Sequence, residues 1–205
     1  MKGSAEGFNR IANEVFAPIY PVIAGRLLAW SGVRDGICLD IGSGPGLLAI
    51  ALARAGGLPV CALDADPAMA LIARKNIARA SLDAQVMPVI GDVHRMPFGD
   101  SSIALIASRG SIYFWEDRPM AFREIERVLL PWGVAYAGGS FGTPELREQI
   151  FAEMRQRNPH WDEDVLRRSA RADRKTLYAE LEESGVSEFR VIEEEAGIWV
   201  EIRGQ

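Results

Sequence analysis

The run Leu39-Asp40-Ile41-Gly42-Ser43-Gly44-Pro45-Gly46 decides how this chain is read. It closes a short apolar stretch, residues 37–41, and opens a helical pattern over residues 47–55. Glycine reaches backbone angles that other side chains forbid, and it lets a ligand lie directly against the main chain. A strand, a glycine turn and a helix in that order form the first unit of a ligand-binding α/β sheet. The spacing is Gly-x-Gly-x-Gly, with Leu47 where a dinucleotide fingerprint places its third glycine. Close packing of helix on strand needs a small residue there, so Leu47 disfavours NAD or FAD.

Two acids lie downstream in matching places. The next apolar run, residues 60–64, ends in Leu63-Asp64, eighteen residues beyond Gly46. A carboxylate at that strand end can accept hydrogen bonds from both vicinal hydroxyls of a ribose. Capping the following helix is the plainer role, but Asp66 before Pro67 suits it better. A third run, residues 86–90, is followed by Gly91-Asp92-Val93. An acid there can accept from the exocyclic amine of adenine, or simply serve a turn. All three features fall at the carboxyl ends of strands, the edge where open α/β sheets bind ligands.

Further apolar runs over residues 103–108 and 134–139 alternate with helical patterns over 67–80 and 119–130. The last of these repeats Phe122, Ile125, Val128 and Leu129 on one face and is expected to stop at Pro131. Alternating strand and helix predict a parallel sheet with helices on both faces. The final third differs. Two or three amphipathic helices over 144–157 and 162–184, broken near Asn158-Pro159, precede two strand-like runs, 188–193 and 198–202. The short turn Glu194-Glu195-Ala196-Gly197 between those runs predicts antiparallel pairing. Ahead of the first strand, residues 6–16 and 20–31 read as helices carrying Phe8, Phe16, Tyr20 and Trp30. These rings either pack under the sheet or, for Phe8, Phe16 and Tyr20, belong to a lid. The chain reads as one domain over 1–205: a helical cap (1–34), a ligand-binding core (35–140), a helical segment (141–185) and a hairpin (186–205).

Bulk properties narrow the function. Hydrophobic residues make up 48% of the 205 and charged residues 25%, a globular balance that argues against disorder. A net charge of −5 disfavours a large nucleic-acid footprint, which must neutralise many phosphates. Met1-Lys2-Gly3-Ser4-Ala5-Glu6 lacks the apolar core of a signal peptide, and no apolar run approaches the ~20 residues of a membrane span. Cys38 and Cys61, inside apolar runs, are expected to be reduced core residues of a cytoplasmic protein. The two histidines, His94 and His160, have no zinc-ligand neighbours in spacing, so no metal is expected.

Taken with Gly91-Asp92-Val93-His94-Arg95-Met96-Pro97-Phe98 and Glu124-Ile125-Glu126-Arg127-Val128-Leu129, these motifs resemble class I S-adenosyl-L-methionine (SAM)-dependent methyltransferases. The resemblance covers roughly residues 35–140 and points to the small-molecule branch that includes ubiquinone/menaquinone methyltransferases. It implies a Rossmann-like seven-stranded sheet of order 3-2-1-4-5-7-6 with the last strand antiparallel. It implies SAM as cofactor and S-adenosyl-L-homocysteine as product. Asp40, Gly42, Ser43, Gly44 and Gly46 would line the amino-acid portion, Asp64 and Ala65 the ribose, and Asp92 with Val93 the adenine. Arg109 would lie at the edge of that site. The chain departs from the family in Leu129-Leu130-Pro131-Trp132-Gly133, usually Leu-Lys-Pro-Gly-Gly, and in Ile103-Ala104, usually Phe-Asp.

The acceptor side is read from Ser108-Arg109-Gly110-Ser111-Ile112-Tyr113-Phe114-Trp115-Glu116-Asp117. It lacks the Asn/Asp-Pro-Pro-Tyr/Phe tetrapeptide of amino-directed DNA or protein-glutamine methyltransferases, and no Pro-Cys pair suits attack on cytosine. Arg109 either clamps an anionic acceptor or pairs with Glu116 or Asp117. His94 and Tyr20 are further catalytic candidates, as is Tyr113, which with Phe114 and Trp115 can wall a flat or cationic acceptor. Arg167, Arg168, Arg171, Arg174 and Lys175 form either a solvated helical face or the entrance for an anionic substrate. The reading is a methyltransferase of a small-molecule acceptor, working as monomer or homodimer. The rivals are an RNA- or protein-directed enzyme, a non-catalytic SAM-binding sensor or scaffold, and an NAD-dependent oxidoreductase.

Overall fold

The computed structural model describes residues 4–205; Met1, Lys2 and Gly3 of the expected cap lie outside the described residues. Seven strands form one sheet in the order β3-β2-β1-β4-β5-β7-β6. They are β1 (Cys38–Ile41), β2 (Val60–Asp64), β3 (Val86–Ile90), β4 (Ile103–Arg109), β5 (Leu129–Ser140), β6 (Phe189–Glu194) and β7 (Gly197–Arg203). β1 to β5 pair in parallel, and β7 runs antiparallel to both β5 and β6.

Because successive strand residues point to opposite faces, one sheet feeds two cores. Cys38, Val60, Ala62, Val134 and Tyr136 point to one core. Leu39, Ile41, Cys61, Leu63, Ala135 and Ala137 point to the other. Residues buried on both faces explain the unbroken apolar runs. The first core is covered by α2 (Ile19–Ser31), α3 (Leu47–Gly56), α4 (Pro67–Arg79), α6 (Pro144–Arg157) and α7 (Trp161–Ser169). The second is covered by α5 (Arg118–Val128) and α8 (Arg174–Ser184). The amphipathic α1 (Ala5–Glu14) lies against α4.

Local chemistry sets the helix starts. Asp66 and Asp117 each accept an amide hydrogen of the first turn, from Ala68 and Met120 (both 2.8 Å), with Pro67 and Pro119 in the opening positions. One expected boundary moves. The helix read to residue 130 ends at Val128, and β5 starts at Leu129 and runs through Pro131. Pro131 disfavours helical angles in Leu130 and cannot donate to the ladder. The chain bulges instead: Ile103 pairs with Leu129 but Leu105 with Val134. Cys38 and Cys61 are buried free thiols, and burial pushes the Cys38 thiol up to about 12, which keeps it inert. No helix among the described residues is long and apolar enough to cross a membrane.

Candidate active site

The carboxyl ends of β1, β2, β3 and β4 bring the sequence motifs to one edge. Beyond Ile41 the chain turns through Gly42, Gly44 and Gly46 at positive φ of 65°, 52° and 79°. Each glycine also meets a protein neighbour. A Cβ on Gly42 would overlap the Ser111 side chain, one on Gly44 would approach Phe8 Cε1 to 3.2 Å, and one on Gly46 would approach Ala73 to 3.1 Å. The turn is thus shaped by β4's end, α1 and α4, and a ligand is only part of the reason for its glycines. Asn76 ties these parts together. Its buried side-chain amide donates to Asn9 Oδ1 (2.8 Å) on α1 and to the Pro45 carbonyl (2.9 Å) in the turn. Phe8 therefore rests over Gly44 in the position read for a lid.

The carboxylates differ in environment. Asp64 Oδ2 accepts from the Gly44 amide (2.7 Å) and Oδ1 from the Asp66 amide (2.9 Å), so the acid also braces the glycine turn. Ala65, next to it, is exposed. Asp92 is exposed and accepts from the His94 amide (2.8 Å), which with its imidazole holds the carboxyl below its usual value. Val93 sinks into the second core. Asp40 is fully buried and accepts from the Ala49 amide at 3.0 Å. Burial drives its carboxyl well above the ordinary range; the Ala49 amide opposes this and the nearby Asp64 adds to it.

Asp40 has a consequence for stability. Its native form holds the proton more tightly than the unfolded chain, so stability falls as pH rises from the ordinary carboxylate range into the raised one. Asp40→Asn keeps an acceptor for Ala49 and removes the buried charge. Denaturant titrations from about pH 4 to 8 are expected to show a flatter dependence for the variant. An unchanged slope would assign it elsewhere.

Beside this edge lies a cavity of about 510 Å³, walled by α1, the ends of β4 and β5, α6, α7 and the β6–β7 turn. Its size suits a small ligand. Arg109, Tyr113 and Phe114 reach it from the β4 end. Trp115 does not; it is buried edge-on against Phe122, 6.1 Å between centroids. Arg109 does not pair with Glu116 or Asp117. Its Nε donates to the Ser140 carbonyl (3.0 Å), and its guanidinium packs against both Phe16 and Phe141. Tyr20 is buried between Arg109 and Asp40; burial raises its phenol, eased by Arg109 and reinforced by Asp40. Tyr113 is likewise raised by burial and eased by Arg109 and Arg168, so both phenols stay protonated at neutral pH.

His94 is held outside the cavity lining. Its Nδ1 is 2.5 Å from Asp92 Oδ1 and its Nε2 accepts from the Asp117 amide at 3.2 Å, so it pins the β3 loop to the start of α5. Of the basic cluster, Arg167 pairs with Asp164, whereas Arg168 and Arg174 reach the cavity. Phe141, Arg147, Met154 and Trp161 also line it and carry no motif. Arg147 did leave a trace: its helix neighbours at i±3 and i±4, Thr143, Pro144, Ile150 and Phe151, include no acid to pair it. Among the described residues no cluster of three His, Cys, Asp or Glu is placed to hold a metal.

The donor set suits an adenosyl sulfonium compound: a buried acid, a half-buried acid with unused lone pairs and an exposed acid flank one glycine turn. In that turn Ser43 Oγ is buried without a protein partner. The chain belongs to the SAM-dependent methyltransferases, whose cofactor is SAM. Residues 39–137 match the family model described as a methyltransferase domain. A crystal structure from Methanococcus maripaludis, assigned as an S-adenosyl-L-methionine-dependent methyltransferase, is 43% identical. It covers 98% of this chain and 92% of its own, with a TM-score of 0.94. Demethylmenaquinone methyltransferase of Chlorobaculum parvum is 32% identical over 105 residues, 51% of this chain and 41% of that protein. Malonyl-[acyl-carrier protein] O-methyltransferase of Halorhodospira halophila is 35% identical over 111 residues, 54% of this chain and 36% of that protein. The chain thus matches about two fifths of those curated relatives' length.

Proposed function

We propose that this enzyme transfers the methyl group of SAM to a small-molecule acceptor. The observation that carries the reading is the cavity: about 510 Å³, lined by aromatic rings together with charged side chains, and adjoining the glycine turn through Phe8. The curated relatives named for demethylmenaquinone and for malonyl-acyl carrier protein support a small acceptor group. When bound, SAM supplies an electrophilic methyl on a sulfonium, open to in-line attack. In this reading Asp64 and Ala65 hold the ribose, Asp92 and Val93 flank the adenine, and Asp40 with Gly42, Ser43, Gly44 and Gly46 line the amino-acid end. Phe8 and Phe16 exclude water, while Tyr20, Tyr113 and Arg109 orient the acceptor. Alignment and exclusion of water can supply much of the acceleration without a dedicated base. Residues 1–205 act as one domain, and the two buried free thiols suit a reducing compartment such as the cytoplasm.

The test is ligand-linked stability. At about 100 times its Kd, S-adenosylhomocysteine adds about 2.7 kcal/mol, which for a chain of this size raises Tm by roughly 5–10 °C and more at higher concentration. Absence of any shift, confirmed by calorimetry, would remove the cofactor and the function with it. Binding without turnover against a broad acceptor panel would favour a sensor or scaffold instead.

A further inference from the structure

We propose that the acceptor is an organic oxyanion, a carboxylate or phosphate on a flat apolar body, and that Arg109 receives its charged end. This rests on the methyl-transfer reading for the word acceptor, but the anion site itself rests on the side chains.

Arg109 is a half-buried arginine with no carboxylate within 4 Å among the described residues. One of its five donors is used, Nε on the Ser140 carbonyl. The centroids of Phe16 and Phe141 lie 5.1 Å and 5.2 Å from its Cζ and 6.4 Å from each other, so two neighbouring rings pack against the guanidinium, which lines the cavity. Desolvation makes the cation harder to keep, yet arginine retains its proton in proteins. A half-buried cation with unused donors beside a cavity is placed to donate charge-assisted hydrogen bonds to an anion that enters it.

Two more cations share the arrangement. Arg147, exposed, stacks on Phe151 (4.7 Å) and Arg168, half-buried, on Trp161 (5.3 Å); both line the same cavity, and neither holds a carboxylate within 4 Å among the described residues. Outside it, Arg118 and Arg190 each grip one and Arg127 grips two, at 2.5–2.7 Å. The acids on the cavity rim make no ion pair with the three among the described residues. Asp173 caps α8 through the Thr176 amide, Glu194 pairs with Arg26, and Glu193 and Glu195 are exposed.

The aromatic walls point the same way. Of the rings that line the cavity, Phe16, Phe141 and Trp161 already carry guanidinium groups, which leaves fewer faces for a cationic acceptor. Tyr113, protonated and close enough to Arg109 and Arg168 to feel both charges, adds a neutral donor. It lies flat on β5 because Gly139 has no Cβ to overlap its hydroxyl.

The experiment is a calorimetric titration of benzoate, phenylacetate and phenyl phosphate against their neutral counterparts, benzamide and benzyl alcohol, with inorganic phosphate alone to test the need for a body. Each is run on the protein alone and on its complex with S-adenosylhomocysteine. The aryl anions are expected to bind about tenfold or more tighter than the neutral compounds, the gain typical of hydrogen bonds to charged groups. Benzoate against phenyl phosphate identifies which oxyanion fits. Arg109→Met is expected to abolish the anion-to-neutral ratio. Arg168→Gln, on α7 and away from the sheet, is expected to halve it or more even if the first variant folds poorly. Equal binding of anions and neutral compounds, no binding of any anion, or an unchanged ratio in Arg168→Gln and in folded Arg109→Met overturns the proposal. Anion preference without S-adenosylhomocysteine binding would keep the anion site and overturn the methyl-transfer reading alone.

Discussion

Asp64→Ala is expected to weaken S-adenosylhomocysteine binding about 100-fold or more, measured by isothermal titration calorimetry. Both carboxylate oxygens already hold a backbone amide, Gly44 at 2.7 Å and Asp66 at 2.9 Å. Each oxygen has a second lone pair, and the two remaining sites match the two hydroxyls of a ribose. Hydrogen bonds to a charged group contribute about 1.5–3 kcal/mol each, so losing two removes about 3 kcal/mol or more. The variant also frees the Gly44 amide, so the glycine turn loses its brace as well. Asp66→Ala is the control. It removes only the cap on the Ala68 amide, at about 1 kcal/mol of stability, and is expected to leave affinity unchanged. Parental affinity in Asp64→Ala would show that the ribose lies elsewhere.

Gly42→Ala is expected to lower stability by about 3 kcal/mol, or Tm by roughly 6–12 °C. Two penalties combine. A φ of 65° costs a side chain about 1–2 kcal/mol, and the new Cβ overlaps Ser111. Ser111 cannot step aside cheaply, because its Oγ bonds Ser108 Oγ (2.5 Å) and the Ile41 carbonyl (3.2 Å), joining the ends of β4 and β1. Forcing such a packed position costs about 1–3 kcal/mol. Gly57→Ala separates the two penalties. Gly57 has φ of 67° with nothing within 4 Å, so only the backbone cost applies there. Equal losses in the two variants, by denaturant titration, would mean that the Ser111 contact carries no weight.

Features that act within a few residues are legible in the chain itself. β2 and β3 fall on the predicted residues, and Asp66 caps α4 as expected, because side-chain alternation and cap chemistry are local. The β4–β5 junction is not, because one proline-bearing stretch, Leu129-Leu130-Pro131-Trp132-Gly133, can end a helix or bulge a strand with the same spacing. Asp40, Asp64 and Asp92 are legible as a set because strand ends place them on one edge. The double duty of Asp64 and the burial of Asp40 depend on what folds against them.

The sequence by itself determined a doubly wound sheet, the edge where ligands meet it and the motifs of the methyltransferase family. Those follow from periodicity, turns and strand ends, which neighbouring residues settle among themselves. Only the tertiary structure decided that Arg109 packs against Phe16 and Phe141 and does not pair with Glu116 or Asp117. It also decided that His94 is a tether, that Trp115 belongs to the core, and that Arg147 and Trp161 complete a cavity. The reason is physical: such partners come from distant segments, and packing of helices against the sheet chooses among them after spacing has nothing more to say.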